Sequence, residues 1–142
     1  MSNAPDPRRA FATQFINALP HCVALGMTVK DVGDGMAELS MPWDDKLVGD
    51  PSTGVIHGGA VSTLMDTCGG TAVMAHPNAP KSTATLDLRI DYMRPATPGQ
   101  AITTKATCYH MTRTVAFVRA VATDDDTENP VATATGAFTV QT

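Results

Sequence analysis

From Ser82 to Val140 the chain repeats almost continuously with a two-residue period, and no other feature constrains its fold as strongly. Alternation places one set of side chains on each face of a pleated strand, so such runs read as antiparallel strands with one buried face. Between Ser82 and Arg94 the apolar set is Ala84, Leu86, Leu88, Ile90 and Tyr92, and the opposite set is Thr83, Thr85, Asp87, Arg89 and Asp91. Pro95 and Pro98-Gly99 close this run. Gln100 to Met111 and Thr114 to Thr123 keep the same period, and Val131 to Val140 puts Ala132, Ala134, Phe138 and Val140 on one side. The acidic stretch Asp124 to Asn129 between the last two runs reads as a solvated hairpin loop, a poor place for a metal because nothing else in the sequence converges on it.

The first half carries a helical period instead. Phe11, Phe15, Ile16 and Leu19 recur at helical spacing and stop at Pro20, which predicts a short leading helix over about 6–19. Two short strands, 26–32 and 35–42, flank the turn signal Gly33-Asp34-Gly35, and Trp43 to Gly54 reads as a loop. In the next segment Val61, Leu64, Met65, Cys68 and Ala72 form one apolar stripe, which predicts a central helix over about 58–75, ending at His76-Pro77. Asp66 lies off that stripe, among Gly59, Ser62, Thr63 and Gly70, where small side chains leave room for another surface. Gly58, Gly59, Gly69 and Gly70 would each cost about 1 kcal/mol relative to Ala in a helix interior, so away from its ends this helix must be held by tertiary packing. One long helix followed by antiparallel strands, with strands also before it, predicts an α+β domain over residues 1–142 in which a curved sheet wraps around the helix.

Composition narrows the function classes. At 142 residues and 14.9 kDa the chain suits one core without disulfide or metal support. A net charge of −4 and no run of Lys and Arg leave no electrostatic footprint for nucleic acid. Three cysteines, Cys22, Cys68 and Cys108, with no C-x-x-C pair, fit reduced thiols better than a disulfide framework. The stretch Met1 to Arg9 has no apolar signal-peptide core and no segment has the length of a membrane span, so the expected address is the cytoplasm, away from membranes. His21, His76 and His110 show no metal-ligand spacing, and Cys68, on the helix stripe, reads as an inert core thiol.

His57-Gly58-Gly59, with Asp66 nine positions after the histidine, followed by a strand ending Ile90-Asp91-Tyr92-Met93-Arg94-Pro95-Ala96, resembles the hotdog-fold thioesterases of the phenylacetic-acid-degradation (PaaI) type. Arg113-Thr114-Val115-Ala116-Phe117 is similar to that family's penultimate strand, and the resemblance covers about residues 20 to 140. It implies that Asp66 acts on a thioester carbonyl as general base or nucleophile, that Gly58 and Gly59 form the turn whose backbone N–H polarises that carbonyl, that Thr85 helps position the water, and that His57 orients substrate. It also implies a homodimer or homotetramer with each active site at a subunit interface. The chain departs from relatives that carry Asn or Gln in the loop before H-G-G; Asp50-Pro51-Ser52 stands there.

The residues support the same chemistry on their own terms. Thioester hydrolysis needs a base for water and donors aimed at the developing oxyanion, and a glycine-flanked helix N-terminus offers free N–H groups with a favourable dipole. No cofactor or metal is required. His57 reads equally as a helix cap, and Thr85 equally as an ordinary strand residue. For an acyl-CoA substrate, Arg94 and Arg113, each beside a turn, are the candidates to bind the CoA phosphates. The runner-up is a non-catalytic acyl-CoA-binding hotdog module; an enoyl-thioester hydratase is disfavoured because its usual close Asp and His pairing is absent. The acyl group, aryl or short or medium chain, is left open.

Overall fold

A computed structural model of the chain describes residues 6–142, so the stretch read above for a signal peptide begins outside the described residues. Helix α1 (Pro7–Ala18) opens on Asp6, whose side chain accepts the Arg8 N–H. Pro20 ends it, yet the same residue starts a second helix, α2 (Pro20–Ala24), which the sequence reading missed. Proline lacks only a donor that the first helical position does not use, so it serves as a start as readily as a stop.

Strands β1 (Thr28–Gly33) and β2 (Met36–Met41) form an antiparallel hairpin. The segment read as loop has more structure: a 3₁₀ turn at Asp45–Leu47 leads into β3 (Val48–Asp50), which pairs with β4 (Val55–Ile56). This small ribbon delivers the chain to α3 (Gly58–Met74), with the His57 N–H donating to the Leu47 carbonyl at 2.8 Å. Four strands follow: β5 (Thr85–Tyr92), β6 (Ile102–Met111), β7 (Val115–Thr123) and β8 (Ala132–Thr139). With β1 and β2 they build one six-stranded antiparallel sheet in the order β1-β2-β6-β7-β8-β5. An antiparallel sheet packed on one long central helix is the α+β, hotdog-type arrangement that the sequence pattern and the resemblance imply.

The stripe Val61, Leu64, Met65, Cys68 and Ala72 is buried against Leu39, Ala106, Ala116 and Phe138 from the sheet. Cys68 Sγ donates to the carbonyls of Ala37 at 3.3 Å and Thr104 at 3.2 Å, tying α3 to β2 and β6. Burial pushes its thiol pKa up to about 12, so this is a core group and not a nucleophile. Gly69 shows why a poor helix former belongs here: a Cβ on it would come within 2.8 Å of Phe138 Cζ. Its missing side chain lets the ring lie directly on the helix backbone.

Two expectations are corrected. The apolar set of β5 does not form a buried face, because β5 is an edge strand: Leu86 is 59 % exposed and Tyr92 52 %, while Leu88 and Ile90 are half-buried. Its period also slips. Register with β8 shifts between Thr85 and Asp87, a bulge at Leu86, so Thr85 comes to line the same cavity as Leu88 and Ile90 although the alternation places it on the opposite face. Gly136 on β8 admits that bulge, since a Cβ there would lie 2.7 Å from the Asp87 carbonyl oxygen. The second correction is Asp124, read as part of a solvated loop: its side chain is 0 % exposed.

Candidate active site

Asp66 projects from the third turn of α3, off the core stripe. The β5 bulge brings Thr85 to it, and Thr85 Oγ1 donates to Asp66 Oδ1 at 2.6 Å. That length is typical of a hydroxyl bound to a carboxylate. Asp66 Oδ2 has no hydrogen-bond partner among the described residues. The pair opens on a cavity of about 620 Å³ in which Leu19, Leu88 and Ile90 face the hydroxyl-bearing Ser62, Thr63 and Thr67 of α3, a mixed lining with apolar side chains from α1–α2 and β5. Leu19 and the neighbouring α2 are parts of this site that sequence reasoning missed, because their approach to α3 depends on how the N-terminal helices fold back.

His57 is the N-cap of α3, and its Nδ1 accepts the Gly59 N–H at 2.8 Å. With Nδ1 accepting, the neutral ring carries its proton on Nε2. The Gly59 N–H is therefore spent on the cap. Gly58 is different: its N–H has no partner among the described residues, and its carbonyl accepts from Tyr92 Oη at 2.8 Å. Of the two glycines expected to polarise a carbonyl, Gly58 alone keeps an available donor, at the positive end of the helix. Tyr92, which sequence reasoning placed on the apolar face of its strand and in the family-like segment but gave no role in the site, ties that turn to β5.

Gly58 and Asp66 do not meet in one chain. They are eight residues apart on α3, about 12 Å along the axis at the usual helical rise. Gly58 opens instead on a separate cavity of about 450 Å³, together with Tyr92 and Val131.

Arg94 has a partner other than phosphate. Its guanidinium is bidentate to Asp124, at 2.7 Å from Nη1 to Oδ2 and 2.6 Å from Nη2 to Oδ1, and its Nε donates to the Asn129 carbonyl at 2.9 Å. Asp124 also accepts the N–H groups of Thr97 and Asp126 at 3.0 Å, so the pair clips the β7–β8 loop to the end of β5. Arg94, first among these neighbours, holds the Asp124 carboxyl well below the usual carboxylate range. Arg113 is exposed in the β6–β7 turn. Asp50, in the loop that departs from relatives, accepts from Ser52 Oγ at 2.6 Å and from the Ser52 N–H at 3.0 Å, which lowers its pKa and commits it to a local turn. Among the described residues no group of three or more His, Cys, Asp or Glu is placed to hold a metal ion, and no helix is long and apolar enough to cross a membrane.

A six-stranded sheet on a central helix, with an acid and a hydroxyl joined at the helix flank and a free N–H at its start, defines a hotdog-type domain of the thioester-hydrolase class. The chain belongs to the thioesterase superfamily, whose family model matches residues 53–131. A Pseudomonas aeruginosa protein of known crystal structure is 41 % identical, with a TM-score of 0.83 over 94 % of this chain and 98 % of that one. A structure of the phenylacetic acid degradation protein PaaI from Thermus thermophilus is 26 % identical, with a TM-score of 0.75 over 85 % and 98 %. The medium/long-chain acyl-CoA thioesterase YigI of Escherichia coli is 25 % identical over 89 % of this chain and 88 % of its own. A Halobacterium salinarum protein with a provisional esterase name is 43 % identical over a shorter stretch, 51 % of this chain and 50 % of its own.

Proposed function

We propose that the protein hydrolyses acyl-CoA thioesters to free acid and CoA, working as a homodimer or a pair of dimers with each active site shared between two chains. Asp66 takes the proton of the attacking water, or attacks the carbonyl itself to form a mixed anhydride that water then hydrolyses, while Thr85 holds the carboxylate in place and the Gly58 N–H of the other chain stabilises the oxyanion. The thiolate of CoA leaves. The observation that carries this reading is the 2.6 Å bond from Thr85 to Asp66, which sets a carboxylate in a partly apolar cavity against a hydroxyl from a distant strand. The separation of Gly58 from Asp66 within one chain supports a second chain supplying the missing donor. So does the unpaired edge of β5, which exposes Leu86, Tyr92 and Met93 beside it. His57 acts through its cap, which fixes the turn. With Arg94 committed to Asp124, Arg113 is left as the candidate for the CoA phosphates. The name of the YigI relative supports an acyl-CoA substrate. Three free, buried cysteines fit a reducing cytoplasm.

The test is thiol release from a panel of acyl-CoA esters. Asp66→Asn is expected to fold and bind substrate but to turn over roughly 10²–10⁴-fold more slowly, the usual scale for losing a general base. Near-normal turnover by the variant removes Asp66 from the mechanism. Tight binding of acyl-CoA by the unaltered protein without turnover favours a non-catalytic acyl-CoA-binding module.

A further inference from the structure

A third cavity, of about 610 Å³, runs between α1 and α3, and its lining includes Phe11, Phe15, Thr67, Gly70, Thr71 and Met74. Thr67, Gly70, Thr71 and Met74 fall on one side of α3, spaced i, i+3, i+4 and i+7, and Asp66 stands at the N-terminal end of that side. The cavity meets the Asp66 cavity at Leu19 and Thr67, which line both. Its walls are mainly apolar: Thr71 Oγ1 donates to the Thr67 carbonyl at 2.8 Å and Thr83 Oγ1 to the Thr139 carbonyl at 2.7 Å, Arg8 is paired with Asp6 and Asp34, and the exposed Lys81 adds one charge to the lining. Phe11 and Phe15, 65 % and 52 % exposed, present their rings to it without covering it.

We propose that this α1–α3 groove is the acyl-chain site and makes the protein selective for straight medium-chain acyl groups, a proposal that rests on the thioesterase reading above. A thioester carbonyl at Asp66 leaves the acyl chain two directions along α3. Toward the N-terminus the lining of the Asp66 cavity on α3 stops at Ser62 and Thr63, short of the His57-Gly58 turn. Toward the C-terminus the groove is open and apolar, and burial of methylene groups favours that direction. Its length sets the chain. Asp66 to Met74 is eight residues, about 12 Å of helix, and an extended chain advances about 1.2 Å per bond, so the groove takes about ten carbons.

The proposal is tested by the chain-length profile of kcat/KM on saturated acyl-CoA esters from butyryl to palmitoyl. The unaltered protein is expected to gain about fourfold per methylene up to about ten carbons and to level or fall beyond. Gly70→Leu places a side chain halfway along the groove; its Cβ has ordinary 3.9 Å and 4.0 Å neighbours, so the helix accommodates it. It is expected to lower the decanoyl-to-butyryl ratio by about tenfold or more. Met74→Trp, at the far end, is expected to lower the ratio of dodecanoyl to octanoyl while leaving the octanoyl-to-butyryl ratio in place. Profiles that ignore both substitutions overturn the proposal. So does a change of oligomer mass in Phe11→Ser/Phe15→Ser with an unchanged profile, which would make the groove a subunit interface. Absence of hydrolysis on every ester would instead overturn the thioesterase reading itself, and isothermal titration of decanoic acid into the unaltered protein and Gly70→Leu would still read the groove.

Discussion

At the scale of single residues, Arg94 and Asp124 show how a motif arginine can be a fastener. A carboxylate with no exposed surface is tolerable only when paired and hydrogen-bonded, and Asp124 has both a bidentate guanidinium and two backbone donors. Its folded-state pKa is depressed from the ordinary 3.8, so it contributes stability above about pH 4, and that contribution is lost as pH falls through the folded value. Asp124→Asn is therefore expected to flatten the acid side of the stability profile below about pH 4, measured by urea unfolding at stepped pH. Arg94→Ala, which leaves the buried carboxylate without its counter-ion, should lower Tm at neutral pH by roughly 5–10 °C. If Arg94→Ala kept its Tm and raised only KM for CoA esters, the arginine would be a phosphate ligand after all. The His57-Gly58-Gly59 and Asp66 signals stood out in the sequence because few structural needs combine a cap, two glycines and an off-stripe carboxylate. What the string could not show is that His57 consumes the Gly59 N–H, since that depends on a ring orientation set by the turn.

At the scale of elements, the helix stripe was legible and the β5 face was not. A helical stripe depends on residues a few positions apart, whereas the face of a strand depends on register with a neighbour distant in sequence. The bulge at Leu86 reverses the phase of Thr85 and so assembles the candidate site. Gly136 is the residue that permits it, and the atom a Cβ would strike is backbone oxygen, which has little freedom to move. Gly136→Ala is expected to destabilise the fold by about 1–3 kcal/mol, the scale of overpacking, and to lower kcat through displacement of Thr85. Thermal unfolding and thiol release on the same sample check both halves; a stable variant with normal kcat would show that the bulge does not set the Asp66 geometry.

At the scale of the whole molecule, one chain does not bring the two parts of the proposed site together. The free N–H of Gly58 and the carboxylate of Asp66 open on different cavities, and a donor about 12 Å away is out of reach of an oxyanion formed at Asp66, as the proposed mechanism requires. Mixing Asp66→Asn chains with Gly58→Pro chains, which lack that N–H, is expected to restore activity in heterodimers toward a quarter to a half of the unaltered level, because one of two sites is then whole. Heterodimers that form and stay inactive would place the whole site within a single chain.

The sequence by itself determined the alternation of the second half, the buried stripe of α3 and the family motif, because each of these rests on residues close together in the chain. From them the α+β class and a central carboxylate followed. Only the tertiary structure decided that Pro20 begins a helix, that Thr85 reaches Asp66, that Arg94 belongs to Asp124, and that α1 leans over α3 to leave a groove beside Asp66. Each of these depends on register, on a bulge or on the docking of one element against another, and those are set by packing across long sequence separations, where local periodicity carries no information.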